Sequence, residues 1–216
     1  MAAIEEMYHN DGYISATFTD INISQEGILY IELNEGYINE IIIKGNEKTK
    51  DYVIRRELDF AEGDVLNIKK IEDSFQKIAG LNIFENIKVD LEVADYLENT
   101  YNFIIDISEG KTGEYGATAA WSSKDGFIGS IFINEKNFLG RGQTLAFNWE
   151  FGCVTNYSIN FYEPKLMSTG LSFGVGLYDR SYKSNITNDG GIDNYDINRK
   201  GGNISLGYSL SGDWNG

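Results

Sequence analysis

The sequence predicts an α+β module followed by a run of antiparallel strands. Three observations predict it: an uneven division of charge and glycine, a partial repeat in the first half, and two-residue alternation in the second. The chain has 216 residues and a formal net charge of −15, room for one or two domains. Residues 1–112 hold 10 Lys+Arg against 23 Asp+Glu, while residues 113–216 hold 8 against 10. Glycine runs the other way, 7 and then 17. A charged, glycine-poor half therefore gives way to a nearly neutral, glycine-rich one near Lys111-Thr112-Gly113.

In the first half, YIELNEG (30–36) and FIIDISEG (103–110) both end an apolar strand with Glu-Gly, with Gly36 and Gly110 lying 74 residues apart. Each follows an alternating stretch, YISATFTDI and FENIKVDLEV. A helical pattern comes earlier still: Ile4, Met7 and Tyr8 in the first copy, Ile68, Ile71, Phe75 and Ile78 in the second. Spacings of three and four put such residues on one helix face. Asn67 fits an N-cap and Gly80 a C-terminal stop. The second copy reads as strand 37–44, helix from about 49 to 58, helix 68–79, and strands 85–93 and 101–108. Ile87, Val89, Leu91 and Val93 alternate with Asn86, Lys88, Asp90 and Glu92, so one face is buried under helices and the other is wet. Two helices on one face of a small three-stranded sheet follow. The first copy has lost its beginning, and the chain is expected to start inside a module.

The second half alternates throughout. Tyr115, Ala117, Ala119 and Trp121 oppose Glu114, Gly116, Thr118 and Ala120 in the first strand, and FIGSIFIN (127–134) follows with a weaker pattern. Leu145, Phe147, Trp149 and Phe151 oppose Thr144, Ala146, Asn148 and Glu150. Similar sets run through 157–162, 171–178 and 203–210, giving about six strands near the length that crosses a bilayer. The apolar faces fit either the core of a soluble sandwich or the lipid side of a membrane barrel. Aromatic residues near strand ends (Trp121, Phe127, Tyr162, Tyr178) suit an interfacial girdle. The connections also alternate in length, with a polar loop expected from about Arg180 to Arg199.

Other function classes find little support. A nucleic-acid binder needs a cationic face, and no basic cluster exists. NEKNFLGRGQ (134–143) carries two glycines and an arginine, but a phosphate loop must open a helix. Here QTLAFNWEF follows, which is a strand. His9 is the only histidine, with no ligand cluster around it, so neither a metal site nor a catalytic residue is expected. The lone Cys153 cannot form an internal disulfide and packs as a small apolar residue. MAAIEEMYHN is acidic and has no apolar core, unlike a signal peptide. No run approaches the roughly 20 apolar residues of a membrane helix.

Taken together, GYINEIIIKGNEKTKDYVIRREL, LNIFENIKVDLEV and IIDISEG, then GEYGATAAW, NEKNFLGRGQ and NFYEPKL, resemble the BamA family of outer-membrane insertases. In that family periplasmic POTRA modules precede a sixteen-stranded barrel. The resemblance implies a β-α-α-β-β POTRA module at 37–111, the C-terminal part of another at 1–36, and the first six or so strands of an incomplete barrel at 112–216. Six strands fall short of the roughly eight of the smallest membrane barrels, so the chain is expected to be a fragment. By the same resemblance, Glu114, Tyr115, Gly116, Ala117, Thr118, Ala119, Ala120 and Trp121 form a lateral edge that binds client strands. Asn86, Ile87, Lys88, Val89, Asp90 and Leu91 form a POTRA edge strand. Asn137, Phe138, Leu139, Gly140, Arg141 and Gly142 form the periplasmic turn between barrel strands two and three, with Pro164 at the next such turn. The implied location is the outer membrane, with POTRA modules in the periplasm. Implied partners are membrane lipid, unfolded outer-membrane clients and accessory periplasmic lipoproteins, with no cofactor and no nucleic acid. The implied function is insertion of barrel proteins, with export through the lumen as the sibling activity. A soluble β-rich binding or adhesion protein is the alternative from another class.

Overall fold

The computed structural model describes residues 2–122, 126–188 and 191–208. It forms two compact units, residues 1–110 and 111–216.

The first unit opens with α1 (Ala2–Asn10) and a two-stranded antiparallel sheet of β1 (Thr17–Ile23) and β2 (Leu29–Asn34). There follow β3 (Tyr37–Lys44), α2 (Asp51–Arg55), α3 (Ile68–Gly80), β4 (Phe84–Asp95) and β5 (Thr100–Glu109). These three strands form one sheet in the order β3-β5-β4, β3 parallel and β4 antiparallel to the central β5. Ile87, Val89 and Leu91 stand opposite Ile107, Ile105 and Phe103. That face packs with Ile54, Ile71 and Ile78 of the helices into one core. Ile105 and Ile54 are fully buried. Each such side chain contributes roughly 1.5–3 kcal/mol on burial, which makes this core the main stabiliser of the unit.

α3 holds the place its apolar spacing predicts. The Asn67 side chain accepts from the Lys69 and Lys70 N–H groups, the N-cap geometry that satisfies orphan donors of the first turn. α2 is shorter than expected, five residues instead of ten. Its Lys50 N-cap offers no side-chain acceptor, and an uncapped turn starts late. Two glycines are required by geometry. Gly45 has φ +83°, and a Cβ there would run into the Ile107 carbonyl oxygen. Gly12 has φ +99°, and its Cβ would lie 2.6 Å from Asn67 Oδ1.

The second unit is one six-stranded antiparallel sheet in sequence order. Its strands are β6 (Gly113–Ser122), β7 (Gly126–Phe138), β8 (Gln143–Gly152), β9 (Val154–Glu163), β10 (Leu171–Asn188) and β11 (Gly191–Tyr208). Residues 180–188 and 191–199, expected within a polar loop, belong to a ladder that runs from Leu171↔Tyr208 to Asn188↔Gly191. Polar side chains hid it. Asn, Asp and Ser recur through its sequence, so no two-residue apolar alternation marks the pairing. The 203–210 alternation is seen to Tyr208; Ser209 and Leu210 lie outside the described residues, as does most of the SSKDG link.

The registers sort the faces. Ala117↔Ile131↔Trp149↔Tyr157 runs across one face, and Thr118↔Ser130↔Glu150↔Asn156 across the other. The apolar face is uncovered: Tyr115 is 87% exposed, Trp121 77%, Ile204 75% and Leu206 72%. Among the described residues, every buried apolar side chain belongs to the first unit. A sandwich would bury these strands against a second layer. An apolar face turned outward over strands of ten residues fits lipid instead.

Candidate functional site

Two sheet edges and one turn hold the residues 114–121, 86–91 and 137–142 singled out from the sequence. β6 is the terminal strand of the second sheet, paired only with β7 from Gly113↔Glu135 to Ser122↔Gly126. Residues 114–121 thus sit on an edge whose other side has no partner among the described residues. The grip of β7 on β6 comes from few side chains. The Thr118 and Ser130 hydroxyls are 2.6 Å apart, Lys136 Nζ lies 3.0 Å from Glu114 Oε1, and the Phe132 ring covers Gly116. Ala117, Ala119 and Ala120 add little, because cross-strand packing scales with side-chain size. This is a row of backbone donors and acceptors held by one neighbour, able to pair with another extended chain.

β4 is a terminal strand too. Beside Asn86–Leu91 lies a groove of about 730 Å³ between α3 and β4, lined by the apolar Ile68, Phe75, Val89 and Leu91 and the acidic Glu72, Asp73 and Asp90. A strand added to β4 would place alternate side chains in this groove. Period-2 reading of β4 alone missed Ile68 and Phe75. The apolar stripe of α3, set against β4, is the signal that could have found them.

NEKNFLGRGQ runs from the end of β7 through the turn 139–142 to the first residue of β8. Leu139, Gly140 and Gly142 have positive φ, and the Gly140 and Arg141 N–H groups donate to the Asn137 and Phe138 carbonyls. Asn137 Oδ1 accepts the Gly142 N–H at 2.7 Å. The N–H groups that would cradle a phosphate are therefore spent within the turn. A nearly buried Glu163 at the end of β9 accepts from Gln143 Nε2 at 2.7 Å and from the Lys165 N–H at 3.1 Å. It joins this turn to the one containing Pro164. Sequence reading passed over Glu163, although a carboxylate at an apolar-parity position just before a proline marks it. His9 lies in the last turn of α1 and Cys153 in the β8–β9 link. Among the described residues no cluster of His, Cys, Asp or Glu could hold a metal.

An edge-bearing α+β module followed by outward-apolar antiparallel strands defines a periplasmic module joined to an outer-membrane barrel. Family comparisons agree. Residues 37–110 match the POTRA family, "Surface antigen variable number repeat", and residues 137–216 match the Omp85 superfamily domain. The chain belongs to the BamA/Omp85 family, and its place is the outer membrane. It is 29% identical over 157 residues to the outer membrane protein assembly factor BamA of Neisseria meningitidis, covering 72% of this chain and 20% of that protein. It is also 29% identical over 179 residues to BamA of Neorickettsia risticii, covering 82% and 23%. The chain therefore spans about a fifth of the length of these relatives. Among solved structures, BamA from Haemophilus ducreyi lacking POTRA domains 1-3 superposes with a TM-score of 0.64 at 22% identity, over 85% of this chain and 37% of that one. CdiB from Acinetobacter baumannii gives 0.62 at 16%, over 96% and 40%.

Proposed function

We propose that this chain serves the assembly of outer-membrane β-barrel proteins, with residues 37–111 as a complete POTRA module, 1–36 as the C-terminal part of another and 112–216 as opening barrel strands. The observation that carries the proposal is the terminal position of β6 with its small side chains. A client strand cannot enter lipid with unpaired backbone groups, since each costs several kcal/mol. An edge that pairs with the client strand removes that cost, so insertion proceeds without a catalytic group. Residues 114–121 template the client. Residues 86–91, with the α3 groove, hold unfolded clients beforehand by strand addition. The 137–142 turn faces the periplasm. Membrane lipid and accessory periplasmic lipoproteins are the other partners. Relatives named as outer membrane protein assembly factors support this reading.

Proline at Ala117 or Ala119 should cut client crosslinking to β6, because it removes a donor or distorts the strand. Unchanged crosslinking at both positions would sink the templating role. A second reading, export of soluble proteins through the lumen, draws support from the comparable fold likeness to CdiB. It predicts cargo crosslinks to inner-face positions such as Asn148 and none to the β6 edge.

A further inference from the structure

On the inner face, at the level where the outer apolar band gives way to Asp179, one row runs across four strands: Glu150↔Asn156↔Arg180↔Arg199. The neighbouring row is Asn148↔Ser158↔Tyr178↔Gly201. All of these residues except Gly201 line a cleft of about 520 Å³. Gly201 makes room for the Tyr178 phenol, since a Cβ there would lie 2.6 Å from its oxygen. Two guanidinium groups stand on directly opposed residues, an arrangement that costs stability unless a counter-charge joins it. The carboxylate of the row, Glu150, is two strands from Arg180 and three from Arg199, and it accepts from the buried Asn156 Nδ2 at 3.1 Å. Among the described residues neither Arg180 nor Arg199 has a carboxylate partner.

We infer that this cleft binds the carboxylates of an acidic peptide segment inside the lumen. Paired guanidinium forks match carboxylates in bidentate fashion, and the Asn148 amide and Tyr178 hydroxyl add neutral donors. The cleft exceeds what a single small ion fills, and its lining is polar. It lies on the face away from lipid, so a lipid headgroup with its chains in the bilayer does not reach it.

The test is fluorescence anisotropy of a labelled hexaglutamate peptide with the purified protein in detergent micelles. Wild type should bind, and R180Q/R199Q should weaken binding at least tenfold. R180K/R199K, which keeps the charge and loses the fork, should retain part of it. K200Q is the control: Lys200 lies on the opposite face, 2.9 Å from Asp179, and its loss should leave binding within twofold. Equal binding by wild type and R180Q/R199Q, or equal loss in K200Q, overturns the inference. Competition by millimolar inorganic phosphate as effective as that by unlabelled peptide also overturns it, in favour of a simple phosphate site. None of these outcomes depends on client crosslinking to β6.

Discussion

Replacing Asn67 by alanine should cost the first unit about 2 kcal/mol. Two contributions make up that figure. Asn67 Oδ1 accepts from the Lys69 N–H at 3.0 Å and the Lys70 N–H at 3.4 Å, and losing such a cap costs about 1 kcal/mol. Its Nδ2 donates to the Asp11 carbonyl at 3.1 Å, a hydrogen bond with a net value of about 1 kcal/mol. One nearly buried amide thus starts α3 and ties the segment after α1 to the module, beside the Ile68 N–H to Gly12 carbonyl bond at 2.9 Å. Serine separates the two contributions: it caps well but cannot reach Asp11. Urea denaturation of residues 1–110 measures both, at an m-value of roughly 2 kcal/mol/M. The midpoint should fall by about 1 M for Asn67→Ala and about 0.5 M for Asn67→Ser. Equal losses in the two variants would show that the cap contributes nothing, and a serine loss near zero would show the same of the Asp11 bond. An alanine loss below about 0.3 kcal/mol, against the usual value for a cap, would refute the whole account.

Glu109 should give the first unit an acid-sensitive component. Burial works to raise its carboxyl, but the Thr49 hydroxyl, the Thr49 and Lys48 N–H groups and the Lys48 charge outweigh it and hold it below its ordinary value of 4.5. A carboxyl depressed on folding stabilises fully above that value and loses the contribution as pH falls through the folded one. Unfolding titrations from pH 6 to pH 3 should therefore show a steeper acid limb in wild type than in Glu109→Gln, and parallel limbs would contradict this. Gly45→Ala should destabilise the same unit by at least about 2 kcal/mol, through positive φ and the Ile107 carbonyl together; thermal melts measure it, and a loss under 0.5 kcal/mol would be incompatible. In the sheet, Asn137→Ala frees the Gly142 N–H and should cost about 1–2 kcal/mol, read as a lower urea midpoint for the protein folded in detergent micelles.

Much of this fold was legible in the sequence because its signals are local. A two-residue period assigns alternate side chains to opposite faces, whatever lies beyond them. The three- and four-residue spacing of Ile68, Ile71, Phe75 and Ile78 likewise places a helix and its buried stripe. Asn67 and Gly80 bounded that helix, and the glycine-rich stretch after Phe138 read as a turn. Only the tertiary structure decided which way the apolar face of the second unit points. Alternation is the same whether Trp149 and Leu206 meet a second sheet or lipid; the exposure of Tyr115, Trp121, Ile204 and Leu206 makes the difference. It also decided that residues 180–188 and 191–199 pair, since backbone bonds to a neighbouring strand leave no periodic trace in a polar sequence. The row Glu150–Asn156–Arg180–Arg199 lies further still from sequence reading. Those residues come from four strands, and three successive registers must be fixed before the two arginines meet. Chain order specifies each strand, but adjacency across strands is a property of the assembled sheet.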